Sequence, residues 1–305
     1  MRLLNGISAL LLTTISCAPH PPAGGGPRSR ASLESAVLAR IAAVPGAEVG
    51  LAFRDLATGD SLDVGADVRF HAASTMKVPV MIQLFRDVDA GRLSLDGLVP
   101  VENRFASIVD GSPYSLGAGD DSDSTVYTWV GGRAKLGDLL DRMITRSSNL
   151  ATNILIALVD AKRADSTAHA LGARDIQVRR GVEDNKAYAA GLNNTTTARD
   201  LAALMMAIET NAAASPASSD SMRAILLRQE FNDEIPAGLP RGTRVAHKTG
   251  SITAHRHDAA IVYPAGRRPY VLIVLTRGIP DGKTAERLIA DLSRLVWAHA
   301  CSVCA

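Results

Sequence analysis

The chain has 305 residues, 47% hydrophobic and 21% charged, a composition that suits a soluble globular fold of one large or two closely packed domains. A formal net charge of +2, with no long basic run, excludes a nucleic-acid surface built on bulk charge. Aromatics are only 4% while Ala, Leu and Val abound, so the core is expected to be aliphatic, helix packed on helix and on sheet.

Taken in chain order, Arg2 is followed by an apolar run over residues 3–15, small residues, Cys17 and a Pro/Gly stretch over 19–27. That is the pattern of a secretory signal, too short to span a bilayer. Residues 1–17 are read as an export signal, 18–31 as a flexible linker, and the protein as a periplasmic or secreted monomer. Thr14-Ile15-Ser16-Cys17 loosely resembles a lipoprotein cleavage box without its usual leucine, which leaves two outcomes: a lipid anchor on Cys17, or simple cleavage nearby. Beyond the signal only Cys301 and Cys304 remain, too few for a disulfide framework, and residues 301–305 read as a tail.

Leu33, Val37, Leu38 and Ile41 recur at helical spacing over 32–44, with Ser32 as a cap and Pro45-Gly46 as the stop. Residues 48–56 alternate as a strand, Thr58-Gly59-Asp60 supplies a turn, and 61–64 returns as a hairpin partner. Met76, Val80, Met81, Leu84 and Val88 predict a helix over 75–90, which puts Ser74 at a helix N-terminus. Residues 110–128, rich in Gly, Ser and Asp, predict a surface loop near the site entrance. Two helices broken near Ser147-Ser148 follow over 136–160; after Arg244 come strands, including 259–263 and 270–276, and a closing amphipathic helix over 284–299. This order suggests an α/β (α+β) fold: an antiparallel sheet from about 32–72 and 240–300, helices on its faces, and an all-helical part over about 73–239.

Three short stretches carry the chemistry: Ser74-Thr75-Met76-Lys77, Ser147-Ser148-Asn149 and Lys248-Thr249-Gly250-Ser251. A serine hydroxyl is a weak nucleophile until a neighbouring base takes its proton, and a lysine three positions on along a helix lies on the same face. With Phe70-His-Ala-Ala-Ser-Thr-Met-Lys77 and Asn194-Thr-Thr-Thr-Ala-Arg-Asp-Leu201 around them, these motifs resemble the class A serine β-lactamases and their penicillin-binding relatives, over residues 49–297. The chain departs from the family pattern at Ser148, where aspartate is usual.

The resemblance implies a cleft between sheet and helical parts, with a β-lactam or a peptidoglycan stem peptide as substrate. It implies Ser74 as nucleophile, Lys77 as proton acceptor with Lys248 lowering its pKa, and Ser147 as relay to the leaving nitrogen. Asn149 suits the substrate's acylamide carbonyl, Thr249 and Ser251 its carboxylate, and Gly250 lets backbone and substrate approach closely. The N–H groups of Ser74 and Ser251 are the expected oxyanion donors. Glu183 lies at the interval beyond Ser147 that the family implies for a deacylating glutamate. The family reads E-x-x-L-N there whereas Glu183-Asp184-Asn185 are contiguous, so Asn185 as the water-holding residue and a differently built loop both stay open. So does a plain surface pairing of Glu183 with Arg179 or Arg180.

His247, His255 and His257 surround the third motif, and His255 and His257 share one face of a strand. Zinc would need further ligands at suitable spacing, and Asp258 points to the opposite face, so neither metal nor other cofactor is expected. Arg256 is a further candidate anchor for a carboxylate. Three functions remain: a β-lactamase, a D-alanyl-D-alanine carboxypeptidase that deacylates slowly, and a silent binding protein of the same fold.

Overall fold

The computed structural model describes residues 29–301. Helix α1 (Arg30–Ala42) leads into strands β1 (Glu48–Asp55) and β2 (Ser61–Val64), and the chain returns at its far end with β3 (Arg244–Ile252), β4 (His255–Tyr263), β5 (Tyr270–Arg277) and α9 (Gly282–Ala300). These strands form one antiparallel sheet in the order β2-β1-β5-β4-β3. Both chain ends thus build one layer, with β2 and β3 as its two edges. The alternation of strand side chains divides the core: Val271, Ile273 and Leu275 face the helical part, while Tyr270, Leu272 and Val274 face α1 and α9. With both faces covered, the central strand β5 reads as a near-continuous apolar run.

Between the two halves of the sheet lie α2 (Lys77–Asp89), α3 (Leu136–Thr145), α4 (Asn149–Val159), α5 (Ala161–Ala170), α6 (Asn185–Ala189), α7 (Ala198–Glu209) and α8 (Pro216–Leu226). Almost every side chain of α2 is buried, which makes it the central helix of this part. Helix α7 begins with a reciprocal cap: Asp200 N–H donates to Thr197 Oγ1 (3.1 Å), and Thr197 N–H to Asp200 Oδ2 (3.2 Å). The segment 194–201 singled out in the sequence is this helix start and the strand before it.

Three expectations need correction. The cap of α1 is Ser29, whose hydroxyl accepts the Ser32 N–H at 3.2 Å, so the helix begins at Arg30, within the expected linker, and Ser32 lies inside it. The helix expected from residue 75 starts at Lys77, after a 3₁₀ turn over Ala73–Met76 that holds Ser74. Pro79, which has no N–H to donate and tolerates only the first helical turn, fits that later start. The stretch 110–128 is more than a surface loop. Pro113–Tyr114 pairs with Phe105–Ala106, Ser124–Trp129 forms a 3₁₀ turn, and Leu116 and Val126 are buried. Its apolar residues are too few and too unevenly spaced for periodicity to reveal them. The export signal, Cys17 and Cys304 fall outside the described residues, and among those described no helix is long and apolar enough to cross a membrane.

Candidate active site

The edge strand β3 runs beside the turn that holds Ser74. A Cβ on Gly250 would lie 3.0 Å from Ser74 N and 3.1 Å from Thr75 N, so glycine is what lets strand and turn touch. Two adjoining hollows of about 270 and 470 Å³ share Ser74, Asp120, Asn149 and Ser251. The first also takes in Ser147, Thr249, Gly250 and Arg256; the second, Glu183, Asn185 and Tyr188. Seven of the nine site residues expected from sequence therefore line one cleft, and the other two, Lys77 and Lys248, are wholly buried beside it.

One hydrogen-bonded network joins the three motifs. Lys77 Nζ donates to the Ser147 carbonyl (2.5 Å), Ser147 Oγ (3.1 Å) and Asn149 Oδ1 (3.0 Å). Lys248 Nζ reaches Ser147 Oγ from the sheet side at 3.0 Å and also donates to the Thr249 carbonyl. Asn149 then spends its amide nitrogen on Glu183 Oε1 at 2.7 Å. A single hydroxyl sits between two lysine amines, and a single amide links one of them to a carboxylate.

Burial decides the electrostatics. Lys77 is held well below the ordinary lysine range, first by desolvation and then by the Lys248 charge, against the opposing pull of Asp121 and Glu183. Desolvation likewise lowers Lys248 to about 7, with Asp258 and Glu234 working against it. Glu183 is raised by burial and by Asp121 and Asp120, and its bond from Asn149 partly offsets this. A lysine pulled down and a glutamate pushed up bring both towards the range in which proton transfer at neutral pH is easy.

The backbone is strained here. Of six non-glycine residues at positive φ among those described, three are Ala73 (45°), Ser147 (58°) and Glu183 (61°). Glu183 stands on a tightly pinned segment. Asn153 clasps Val182 through its N–H (2.6 Å) and carbonyl (3.0 Å), and Asn194 accepts from the N–H groups of Arg179 and Arg180. Asp184 caps α6 and takes the Ser107 hydroxyl and the Ile108 N–H. The arginines do not pair with Glu183: Arg180 turns to the carbonyls of Leu192 and Gly181 and to Asn193, and Arg179 to Gln177.

His257 is buried between the His71 carbonyl at Nε2 (2.9 Å) and the Thr276 N–H at Nδ1 (3.2 Å), and desolvation lowers it to about 4. Its ring faces His255 at 6.0 Å, while Asp258 lies on the other face and bonds His247 at 2.9 Å. No three His, Cys, Asp or Glu side chains converge as a metal site among the described residues. Arg256 lines the cleft but is already paired with Glu234 (3.2 Å) and Glu286 (3.1 Å). Sequence reasoning passed over Asp121, Asn153 and Glu234. All three act across long gaps in the chain, and only the acidic run from Asp120 to Asp123 offered any hint.

The model of the beta-lactamase enzyme family matches residues 32–300. A β-lactamase of Rhodobacter capsulatus is 29% identical over 285 residues, 87% of either chain. Among solved structures, PBP-A superposes with a TM-score of 0.77 at 28% identity, covering 90% of this chain and 98% of its own. A β-lactamase from Sphaerobacter thermophilus gives the same TM-score and identity over 89% of this chain and 98% of that one. The chain belongs to the beta-lactamase enzyme family and is a serine hydrolase of the β-lactamase class.

Proposed function

We propose that this protein hydrolyses β-lactams in two steps through an ester on Ser74, and the observation that carries the reading is the network Lys77–Ser147–Lys248 beside that serine. In the first step Lys77, neutral because it is buried and faces Lys248, takes the Ser74 proton as the hydroxyl attacks the lactam carbonyl. Oxygen charge then settles on the N–H groups of Ser74 and Ser251, each such donor being worth about 3 kcal/mol. Ser147, bonded to both lysines, passes a proton to the leaving nitrogen, while Thr249 and Ser251 receive the substrate carboxylate and Asn149 its acylamide. Gly250 keeps the strand close enough for those contacts. In the second step Glu183 removes a proton from water as it attacks the ester carbon; the bond from that carbon to Ser74 Oγ breaks, and the serine oxygen takes a proton back from Lys77.

A carboxypeptidase acting on peptidoglycan stem peptides shares the first step, and the equal likeness to PBP-A keeps that reading in view. Turnover separates the two. The expected result is rapid hydrolysis of a chromogenic cephalosporin, abolished in Ser74→Ala and halted in Glu183→Gln as a covalent adduct seen by mass. A wild-type protein that acylates and never turns over, but releases D-alanine from stem peptides, would be the peptidase. The residues 1–17 pattern supports export to the periplasm or medium, with Cys17 as the lipid-bearing residue if the anchor forms. Cell fractionation, with mass analysis of the mature N-terminus, checks that part.

A further inference from the structure

The second motif has Ser148 where the family resemblance implies aspartate. Ser148 is wholly buried, and its hydroxyl caps α4 by accepting the Ala151 N–H at 3.3 Å. It brings no charge to the helix start. A carboxylate stands there nevertheless, supplied by another segment. Asp121 Oδ2 accepts the N–H groups of Asn149 (2.9 Å) and Leu150 (3.0 Å) and the Tyr127 hydroxyl (3.1 Å), while its Oδ1 accepts the Asp123 N–H (3.0 Å). The same segment is moored by Ser122, whose hydroxyl donates to the Arg146 carbonyl at 2.6 Å, and by Asp123, which caps the turn at Ser124–Trp129 and faces Arg142 at 3.8 Å.

We propose that Asp121 is a positioning residue of this site: it supplies, from the segment in front of the cleft, the carboxylate that the second motif lacks, and so fixes Asn149 between Lys77 and Glu183. The two N–H groups it accepts stand at the start of α4, where backbone donors have no partner within the helix and a negative charge is favoured. One of them belongs to Asn149, whose side chain makes the bonds to Lys77 and Glu183. A shift of that backbone would break both bonds together.

Charge gives the inference a second consequence. Asp121 opposes the lowering of Lys77 and adds to the raising of Glu183. The other charged or titratable groups facing these two are Lys248 on β3, Asp120 on the same segment as Asp121, Tyr127 against its carboxylate, and Tyr114 beside the Glu183 segment. Neutralising Asp121 therefore moves Lys77 and Glu183 in the same direction, downwards. A role confined to bracing the segment would move neither.

This inference rests on the Ser74 reading above, and the test separates the two. In Asp121→Asn, which keeps an oxygen for the two N–H groups, the acidic limb of the acylation rate is expected to move down by about half a pH unit or more. The ¹³C titration of the Glu183 carboxyl should move the same way. Asp121→Ala, which also loses the bonds, should lower kcat/KM about 10-fold or more. Unchanged rates and pH limbs, or a lower melting temperature with neither titration moved, would overturn the inference. Should the wild type form no Ser74 ester, the function proposed above falls, while the Glu183 titration, which needs no turnover, still decides the part played by Asp121.

Discussion

Lys77 and Lys248 have no exposed surface at all, and each puts a polar amine where a well-packed apolar side chain would be more stable. The pH dependence follows from the lowered value of Lys248, about 7 in the fold against 10.5 when solvated. Below about pH 7 both states carry the proton and the penalty is complete; between 7 and 10.5 the unfolded chain holds the extra proton, so stability rises with pH. Lys248→Met should therefore raise the melting temperature by several degrees at pH 6, with a gain that shrinks towards pH 10, while turnover is lost throughout. Melting curves of wild type and variant across that range are the check, and a gain independent of pH would refute the lowered value. At this scale the motifs made most of the cleft legible, because the reacting groups come in triplets of neighbours. Asp121 was illegible: it meets Asn149 across 28 positions, and aspartate in a polar stretch reads as solvated until the chain is folded.

Among the elements, the segment that carries Glu183 shows how one glycine serves a site it does not touch. A Cβ at Gly181 would sit 2.3 Å from Asn153 Oδ1 and 2.8 Å from Asn153 Cγ, so any side chain there displaces Asn153. Both of its bonds to Val182 would go, and Val182 precedes the strained Glu183. Gly181→Ala should slow deacylation about 10- to 100-fold, an effect expected of a catalytic group displaced by about an ångström. Acylation, served by α2, α4 and β3, should change much less. Mass spectra during turnover would then show the ester accumulating; a variant that turns over as fast as wild type with no adduct would refute the clasp. The helices α1 to α4 and α9 and the strands of the sheet were legible before folding, down to the break between α3 and α4, whereas α5, α7 and α8 were read only as part of an all-helical stretch. The 3₁₀ turn under Ser74 and the order within residues 110–128 were not, since neither rests on a repeating pattern.

Across the whole molecule the sheet makes the halves interdependent, because its strands come from both chain ends and its two faces close two cores. The face towards α2 and α7 carries Lys248 and Gly250 of β3, with Thr249 between them also lining the cleft, and the opposite face is covered by α1 and α9. The sequence order of strands, helices and strands made this layering legible, but which strand became the free edge beside the serine was fixed only by the pairing. Loss of packing behind the sheet should thus lower the stability of the whole fold without altering the chemistry while the fold persists. Ile289 on α9 is wholly buried in that rear core, and Ile289→Ala should cost about 2–5 kcal/mol. That corresponds to a fall in melting temperature of about 4–20 °C for a domain of this size. At low temperature kcat and KM should match wild type, and on heating the loss of activity and of far-UV circular dichroism should coincide at the lowered midpoint. Activity that vanishes well before the secondary structure would mean that the site melts on its own, and that the two cores are not one cooperative unit.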